Sequence, residues 1–398
     1  MRIKTVRVRQ VSGTMATEGP FWEERLLRPI DIYPDYRKQP PIGWGGHQVD
    51  DRHFRLTQWF VQLETDEGAI GIAGPLWPDA ARLVLTQLAP IVVGKDPLAS
   101  ELLWDQMHRL QVHGRQGDAM IALSAVDCAL WDLKGRALGQ PVWRLLGGPT
   151  RESVPAYASM LGYAVEDLGL VRERAQAAKA AGYTAQKWFL RHGPMSGQEG
   201  MRKNVALVRT LREALGDDDE IMLDCWQSLN FDYAVDLCSR IEEFRPRWLE
   251  EPFMPDRIDS HVKLKAKTRI PLSGAEHEYT RWGFKRFVEK DALDILQPDI
   301  YWCGGLSETL KITAYATVHD LIVIPHGHST PIGIHYSVAQ SPIHTPYQEY
   351  LVKWNLINQH FLARPVWPKN GAIDLPETPG IGMDLDPAKV EHEEELRV

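Results

Sequence analysis

IMLDCW (221–226), RWLEEP (247–252) and PLSGAEH (271–277) are strand-like segments that each run into a carboxylate, and the acids Asp224, Glu250 and Glu276 stand 26 residues apart. Between the first two segments, Tyr233, Leu237, Ile241 and Phe244 recur three or four residues apart, which is the apolar stripe of a helix. The unit is strand, helix, strand. Parallel strands joined by helices put their carboxyl ends on one rim, so acids at the same point of three successive units converge. Three uncompensated carboxylates repel one another, and a hard divalent cation relieves that repulsion. An all-oxygen set suits Mg²⁺ better than Zn²⁺, which prefers nitrogen and sulfur. For any one of these acids, capping of the following helix is the competing reading; three in register favour the metal.

Outward from this stretch, strand-like runs alternate with helical ones: VPAYASM (154–160), TAQKWFL (184–190), EIMLDCW (220–226), RWLEEP (247–252), RIPLSGAE (269–276), LDILQPD (293–299), LIVIPHG (321–327) and YQEYLV (347–352). Eight such units predict a closed β/α barrel. Upstream, 1–11 alternates like a strand, and 58–74 reads as a hairpin turning at Asp66 to Gly68. The stretch from Thr14 to Arg55 is longer than compact domains usually tolerate, and Phe21, Trp22, Tyr33, Tyr36 and Trp44 offer it apolar anchors, so it reads as a lid. Ile121, Ala125, Cys128, Ala129 and Asp132 follow a helical period that Gly139 and Pro141 stop. The expected organisation is an α+β capping domain over 1–135, a barrel over 136–355, and a Pro- and Gly-rich segment over 356–398 that packs back on the cap.

Composition narrows the function. With 398 residues, 44% of them apolar and 25% charged, the chain reads as globular and able to bury a large core. A formal charge of −8 and the lack of any basic run speak against nucleic acid. Cys128, Cys225, Cys238 and Cys303 show no CxxC spacing and lie in apolar stretches, so they read as reduced and buried. No run is long enough to span a membrane, and the N-terminus lacks a signal peptide's apolar core, so a cytoplasmic protein is expected.

The stretch AVDCALWDLKGRALGQPVWRLLGG (125–148), WLEEP (248–252), QPDIYWCGG (297–305) and IPHG (324–327) together resemble the enolase superfamily, mandelate racemase subgroup, nearest to its rhamnonate-type acid-sugar dehydratases. The resemblance spans nearly the full length. It implies a capping domain over a modified (β/α)₇β barrel, with Mg²⁺ held by Asp224, Glu250 and Glu276, and a homo-oligomer. Superfamily members use a Lys or His base with Mg²⁺ to stabilise an enediolate. His326 ends one strand and Asp299 the strand before it, a placement in which the carboxylate orients the imidazole and raises its basicity; they also match the family's His-Asp dyad. A satisfied core histidine is the alternative for His326, and helix capping for Asp299.

By the same resemblance Lys187 lies near the substrate carboxylate, Glu349 hydrogen-bonds a carboxylate or enolate oxygen, and His277 meets a substrate hydroxyl. Arg55 is the expected cationic substrate contact from the capping domain, although a surface arginine would read the same. Racemases of the subgroup carry a second lysine two residues after the first; this chain has Phe189. The implied activity is a dehydratase that removes the C2 proton of an acid sugar and eliminates the C3 hydroxyl to give a 2-keto-3-deoxy acid. A racemase or epimerase, which needs a second base, and a non-catalytic sugar-acid-binding barrel are the competing readings.

Overall fold

The computed structural model describes residues 1–39 and 45–397. Its strands, in chain order, are β1 Ile3–Ala16, β2 Gly46–Asp50, β3 His53–Thr65, β4 Ile70–Leu76, β5 Ser153–Ser159, β6 Ala185–Phe189, β7 Glu220–Asp224, β8 Trp248–Glu250, β9 Leu272–Gly274, β10 Ile295–Leu296, β11 Ile322–Val323, β12 Gln348–Leu351, β13 Ala372–Asp374 and β14 His392–Glu395. The eight expected parallel units are β5 to β12, and they lie side by side in the order β11-β10-β9-β8-β7-β6-β5-β12. The sheet curls into a barrel under an N-terminal cap. Among the described residues no ladder joins its outer strands β11 and β12; the Gly327 N–H donates instead to Glu349 Oε2 at 2.8 Å across that seam.

Side-chain alternation along the strands sorts the interior into layers. Tyr157, Ala185, Met222, Trp248, Ile295 and Ile324 form one buried apolar cluster, with Tyr347 packed against it. Two residues further along six of these strands stand Lys187, Asp224, Glu250, Gln297, His326 and Glu349. The apolar layer therefore plugs the barrel, and the next layer up carries the charge.

The cap is an antiparallel sheet in which β3 pairs with β1, β2 and β4, and β14 from the C-terminal segment completes its edge on β1. The C-terminal segment also touches the barrel, since β13 pairs antiparallel with β5. The helix Asp118–Ala137 ties these parts together through two buried carboxylates. Asp127 accepts from the Ser307 N–H at 2.9 Å and its hydroxyl at 2.6 Å, on the barrel side. Asp132 accepts from Ile72 N at 2.8 Å, Ile381 N at 2.6 Å and Arg136 Nε at 2.7 Å, joining β4, the tail and its own helix. All four cysteines are free and buried. No helix among the described residues is long and apolar enough to cross a membrane.

The expected lid is shorter than the sequence suggested, because β1 runs to Ala16 and β2 begins at Gly46. Trp44 lies outside the described residues. Phe21 is buried against Phe54, and Trp22 packs on Trp354, with ring centroids 5.0 and 5.5 Å apart. Tyr33 and Tyr36 have exposed side chains and give no apolar anchor. Polar contacts do that work: Lys353 Nζ donates to Glu23 Oε1 at 2.9 Å, and Asp31 is clasped by Arg25 and Arg28.

Replacing Asp132 with alanine would strand two buried backbone N–H groups and one guanidinium donor. At about 1–3 kcal/mol for each orphaned group, Asp132→Ala is expected to lower unfolding free energy by at least about 3 kcal/mol. The urea midpoint should fall accordingly, whereas an unchanged midpoint would show that the node does not hold cap, tail and helix together.

Candidate active site

The charged layer is organised around an ammonium. Lys187 is almost wholly buried, and its Nζ pairs with Glu250 Oε1, with Glu349 Oε1 at 2.7 Å and, more loosely, with Asp224 Oδ2 at 3.6 Å. Burial alone would drive the ammonium to lose its proton, but Glu250 and Glu349 outweigh it and hold the Lys187 pKa well above its ordinary value. The other oxygen of Glu250 accepts from the Trp248 indole N–H and from Gln297 Nε2, both at 2.9 Å. Trp226, Gln227, Glu251 and Ala275 all sit at positive φ just beyond the ends of β7, β8 and β9. Such strain in side chains other than glycine gathers where the fold must aim particular groups, and here it turns the acids of neighbouring strand ends toward one another.

Asp224, Glu250 and Glu276 leave adjacent strands, as their spacing predicts. Burial and neighbouring carboxylates push Asp224 upward, Glu250 to about 8 and Glu276 to about 7. An all-oxygen set whose charges are this costly fits a hard divalent cation. Among the described residues, the three donors that already lie within 4.8 Å of one another are Glu251, Glu276 and His277, a set that shares only Glu276 with the acids the spacing singles out. His277 Nδ1 is 3.0 Å from Glu251 Oε2 and 3.3 Å from Glu276 Oε1. Burial opposes its charge, yet these two acids raise it to about 9, so the trio is an ion-pair cluster with an internal cation.

His326 lies beside this set. Its Nδ1 meets Asp299 Oδ2 at 2.7 Å, and its Nε2 is 3.5 Å from Glu276 Oε2. Asp299 is fixed in turn by the Tyr301 N–H at 2.7 Å. Burial works against the imidazolium, but Glu276, Asp299 and Glu349 raise it to about 10. His328, two residues on, is driven by burial down to about 4 and stays neutral.

A cavity of about 260 Å³ opens over these groups, with Asp224, Glu276, His277 and His326 in its floor. Its walls hold Trp77, Trp226, Trp302 and Trp354, with Arg25 and Arg28 contributed by the loop. Glu250, Glu349 and Lys187 lie beneath the floor. Arg55 does not belong to this constellation. It lines a neighbouring cleft of about 340 Å³, pairs with Glu391, and is screened from the cavity by Trp77, His328 and Trp354, which line both spaces. Alternation on β3 explains the displacement: Phe54 and Leu56 turn inward to the core, so Arg55 between them faces away. Arg25 and Arg28 escaped the sequence reading because their loop has no period. Gln297 could have been found from its place two residues after Ile295.

Residues 170–389 match the family described as enolase C-terminal domain-like, and residues 47–147 match the mandelate racemase / muconate lactonizing enzyme N-terminal domain. L-rhamnonate dehydratase of Saccharopolyspora erythraea is 33% identical, with 97% of each chain covered. The crystal structure of L-rhamnonate dehydratase from Gibberella zeae has a TM-score of 0.84 at 33% identity, covering 98% of this chain and 94% of that one. A second crystal structure of rhamnonate dehydratase from that organism, complexed with Mg, has a TM-score of 0.83 at 32% identity and covers 98% and 95%. The 3,6-anhydro-D-galactonate cycloisomerase from Zobellia galactanivorans has a TM-score of 0.80 at 28% identity and covers 98% and 99%.

The raised carboxyls set a pH test. Glu276 near 7 and Glu250 near 8, against an ordinary 4.5, hold protons in the folded state that the unfolded chain has already lost. Folding of the cation-free protein therefore takes up protons between those values, and its stability falls as pH rises. His277 and His326, raised from 6.5 to about 9 and about 10, act in the same sense at higher pH: the stability they add is complete below 6.5 and lost as pH climbs through their folded values. A divalent cation takes the place of protons on the acids. Adding Mg²⁺ to chelator-treated protein should raise Tm more at about pH 8 than at about pH 6; equal increments in a fluorimetric melt would count against these acids as ligands.

Proposed function

We propose, on the premise that this chain belongs to the mandelate racemase / muconate lactonizing enzyme family of the enolase superfamily, that it is a Mg²⁺-dependent acid-sugar dehydratase of the rhamnonate type, a hydro-lyase. The observation that carries the reading is the oriented base, His326 held by Asp299 at 2.7 Å. Phe189 fills the position where a second lysine would stand, and it is buried. His328 lines the cavity, but its depressed pKa makes it a feeble base. One base favours elimination over racemisation.

Asp224, Glu250 and Glu276 are the residues that would hold the metal. When bound, Mg²⁺ supplies positive charge to the substrate carboxylate as proton loss turns it into an enediolate. His326 takes the C2 proton in its neutral form, which becomes accessible when the Glu276 charge that holds its proton is offset, and Asp299 fixes the tautomer and supports the imidazolium that results. Lys187 adds a buried positive charge beside the same carboxylate. Glu349, pinned by the Gly327 N–H and by Lys187, keeps that ammonium in place. His277, protonated and open to the cavity, donates to a substrate hydroxyl. Protonated His326 then gives its proton to the departing C3 hydroxyl, water leaves, and the enol tautomerises to a 2-keto-3-deoxy acid. Aromatic walls cover the C–H faces of the sugar chain and exclude water.

Purified protein with Mg²⁺, screened against six-carbon acid sugars, should form a 2-keto-3-deoxy product from at least one of them without accumulating its C2 epimer. Loss of the base in His326→Asn should cost about 10²–10⁴-fold in turnover and abolish C2 exchange in deuterated water. Asp299→Asn should lower turnover while Mg²⁺ affinity stays the same. Build-up of the C2 epimer with no keto acid would overturn the dehydratase reading in favour of an epimerase, and absence of any C2 exchange would favour a binding protein.

A further inference from the structure

The loop over the cavity brings several arginines close together. Arg25, Arg28 and Arg37 lie in it, and Arg191 faces it from the segment after β6. Asp31 is the carboxylate that Arg25 and Arg28 touch, and Glu166 lines the same pocket as Arg28, Arg37 and Arg191. Asp31 is claimed first by Arg25, whose remaining donors are all used on backbone carbonyls: Gln39 O at 2.9 Å from Nε, Leu26 O at 3.2 Å from Nη1, and Tyr36 O and Arg37 O at 2.9 Å from Nη2. Arg37 spends its donors on Asp31 O, Ile32 O and Met195 O. Glu166 nearby is shared by Lys203 at 2.9 Å and His192 at 3.1 Å.

Two guanidiniums keep unused donors. Arg28 is buried and shares its Nη2 among Asp31 Oδ1 at 3.3 Å, Tyr36 O at 3.0 Å and Gln39 Oε1 at 3.3 Å, while its Nε has no partner among the described residues. Arg191 is half-buried and makes no hydrogen bond or ion pair among the described residues; burial, then the charge of Arg25, depress its pKa, with Glu166, Asp31 and Glu24 acting only at a distance. Both line a pocket of about 170 Å³ between the loop and the exit of β6. Arg28 also lines the reaction cavity, so it is the wall the two spaces share. A chain with a net charge of −8 has thus placed two incompletely paired guanidiniums around one small, half-open pocket that Asp31 and Glu166 also line.

We propose that Arg28 and Arg191 form an oxyanion subsite that takes a carboxylate or phosphate group. Planar guanidinium forks match such oxygens with paired, charge-assisted hydrogen bonds. The anion has two sources: a second acidic group at the distal end of the sugar acid, or a free oxyanion held beside the substrate. Only the first source rests on the dehydratase reading.

Isothermal titration calorimetry on the Mg²⁺-loaded full chain separates the possibilities, using a six-carbon aldarate, the aldonate of matching configuration, and inorganic phosphate. Arg191→Gln is the informative variant, since Arg191 makes no hydrogen bond or ion pair among the described residues, and Arg191→Lys tests retention of charge. If the group belongs to the substrate, the wild type binds the aldarate roughly tenfold or more tighter than the aldonate. That gap closes in Arg191→Gln, survives in part in Arg191→Lys, and leaves aldonate affinity unchanged. If the anion is free, the aldarate gains nothing, and phosphate binds the wild type about tenfold or more tighter than it binds Arg191→Gln. Neither an aldarate preference nor phosphate binding, or either one persisting in Arg191→Gln, overturns the subsite and leaves a solvated arginine pair. C2 exchange in deuterated water on the same preparations reports the chemistry separately: a protein that binds through Arg191 yet exchanges no C2 proton keeps the subsite and loses the dehydratase reading.

Discussion

The buried ammonium of Lys187 among Glu250, Glu349 and Asp224 is the constraint on which the rest of the barrel mouth depends. Desolvating several carboxylates together costs several kcal/mol for each ion unless opposite charge is held close. One lysine meets three acids only because β6, β7, β8 and β12 deliver them at one level. The parallel register, in which Phe189 pairs with Asp224 and Asp224 with Glu250, sets that level. The acids outnumber the ammonium, and burial, with that surplus added to it, shifts Glu250 and Glu276 upward. That surplus is what makes the site receptive to a metal.

A second consequence of the same layering is that the plug and the site are one structure. Trp248 fills the barrel and lends its indole N–H to Glu250; Ile324 and Tyr347 pack in the plug two residues before His326 and Glu349. Packing defects below would tilt the groups above. The seam between β11 and β12 shows the coupling from the other side, because the contact that spans it, from the Gly327 N–H to Glu349, holds the residue next to His326. Closing the sheet and placing the base are therefore linked.

The helix Asp118–Ala137 does for the two domains what Lys187 does for the site. Its buried Asp127 and Asp132 spend their oxygens on N–H and O–H groups of the barrel, the cap sheet and the C-terminal segment. Burial raises Asp127 to about 7, so it is held by donors with no cation in contact, whereas Asp132 has Arg136. This fixes the cap as the roof of the cavity, and the loop from the cap brings Arg25 and Arg28 over the acids.

Periodicity and strand-end position by themselves determined the eight β/α units, the adjacent strand ends that carry Asp224, Glu250 and Glu276, and the neighbouring placement of Asp299 and His326. Each follows from short-range pattern plus the rule that parallel strands end on one rim, and the motif resemblance added Lys187, Glu349 and His277. Tertiary structure alone decided which charges meet. It turned Arg55 into another cleft, sank Lys187 into a carboxylate cage, paired His277 with Glu251, and set Arg28 and Arg191 around a pocket that no spacing foretells. A loop without period carries no local record of where its side chains point, since partners far along the chain choose among the orientations by what each must bury and which charge it must answer.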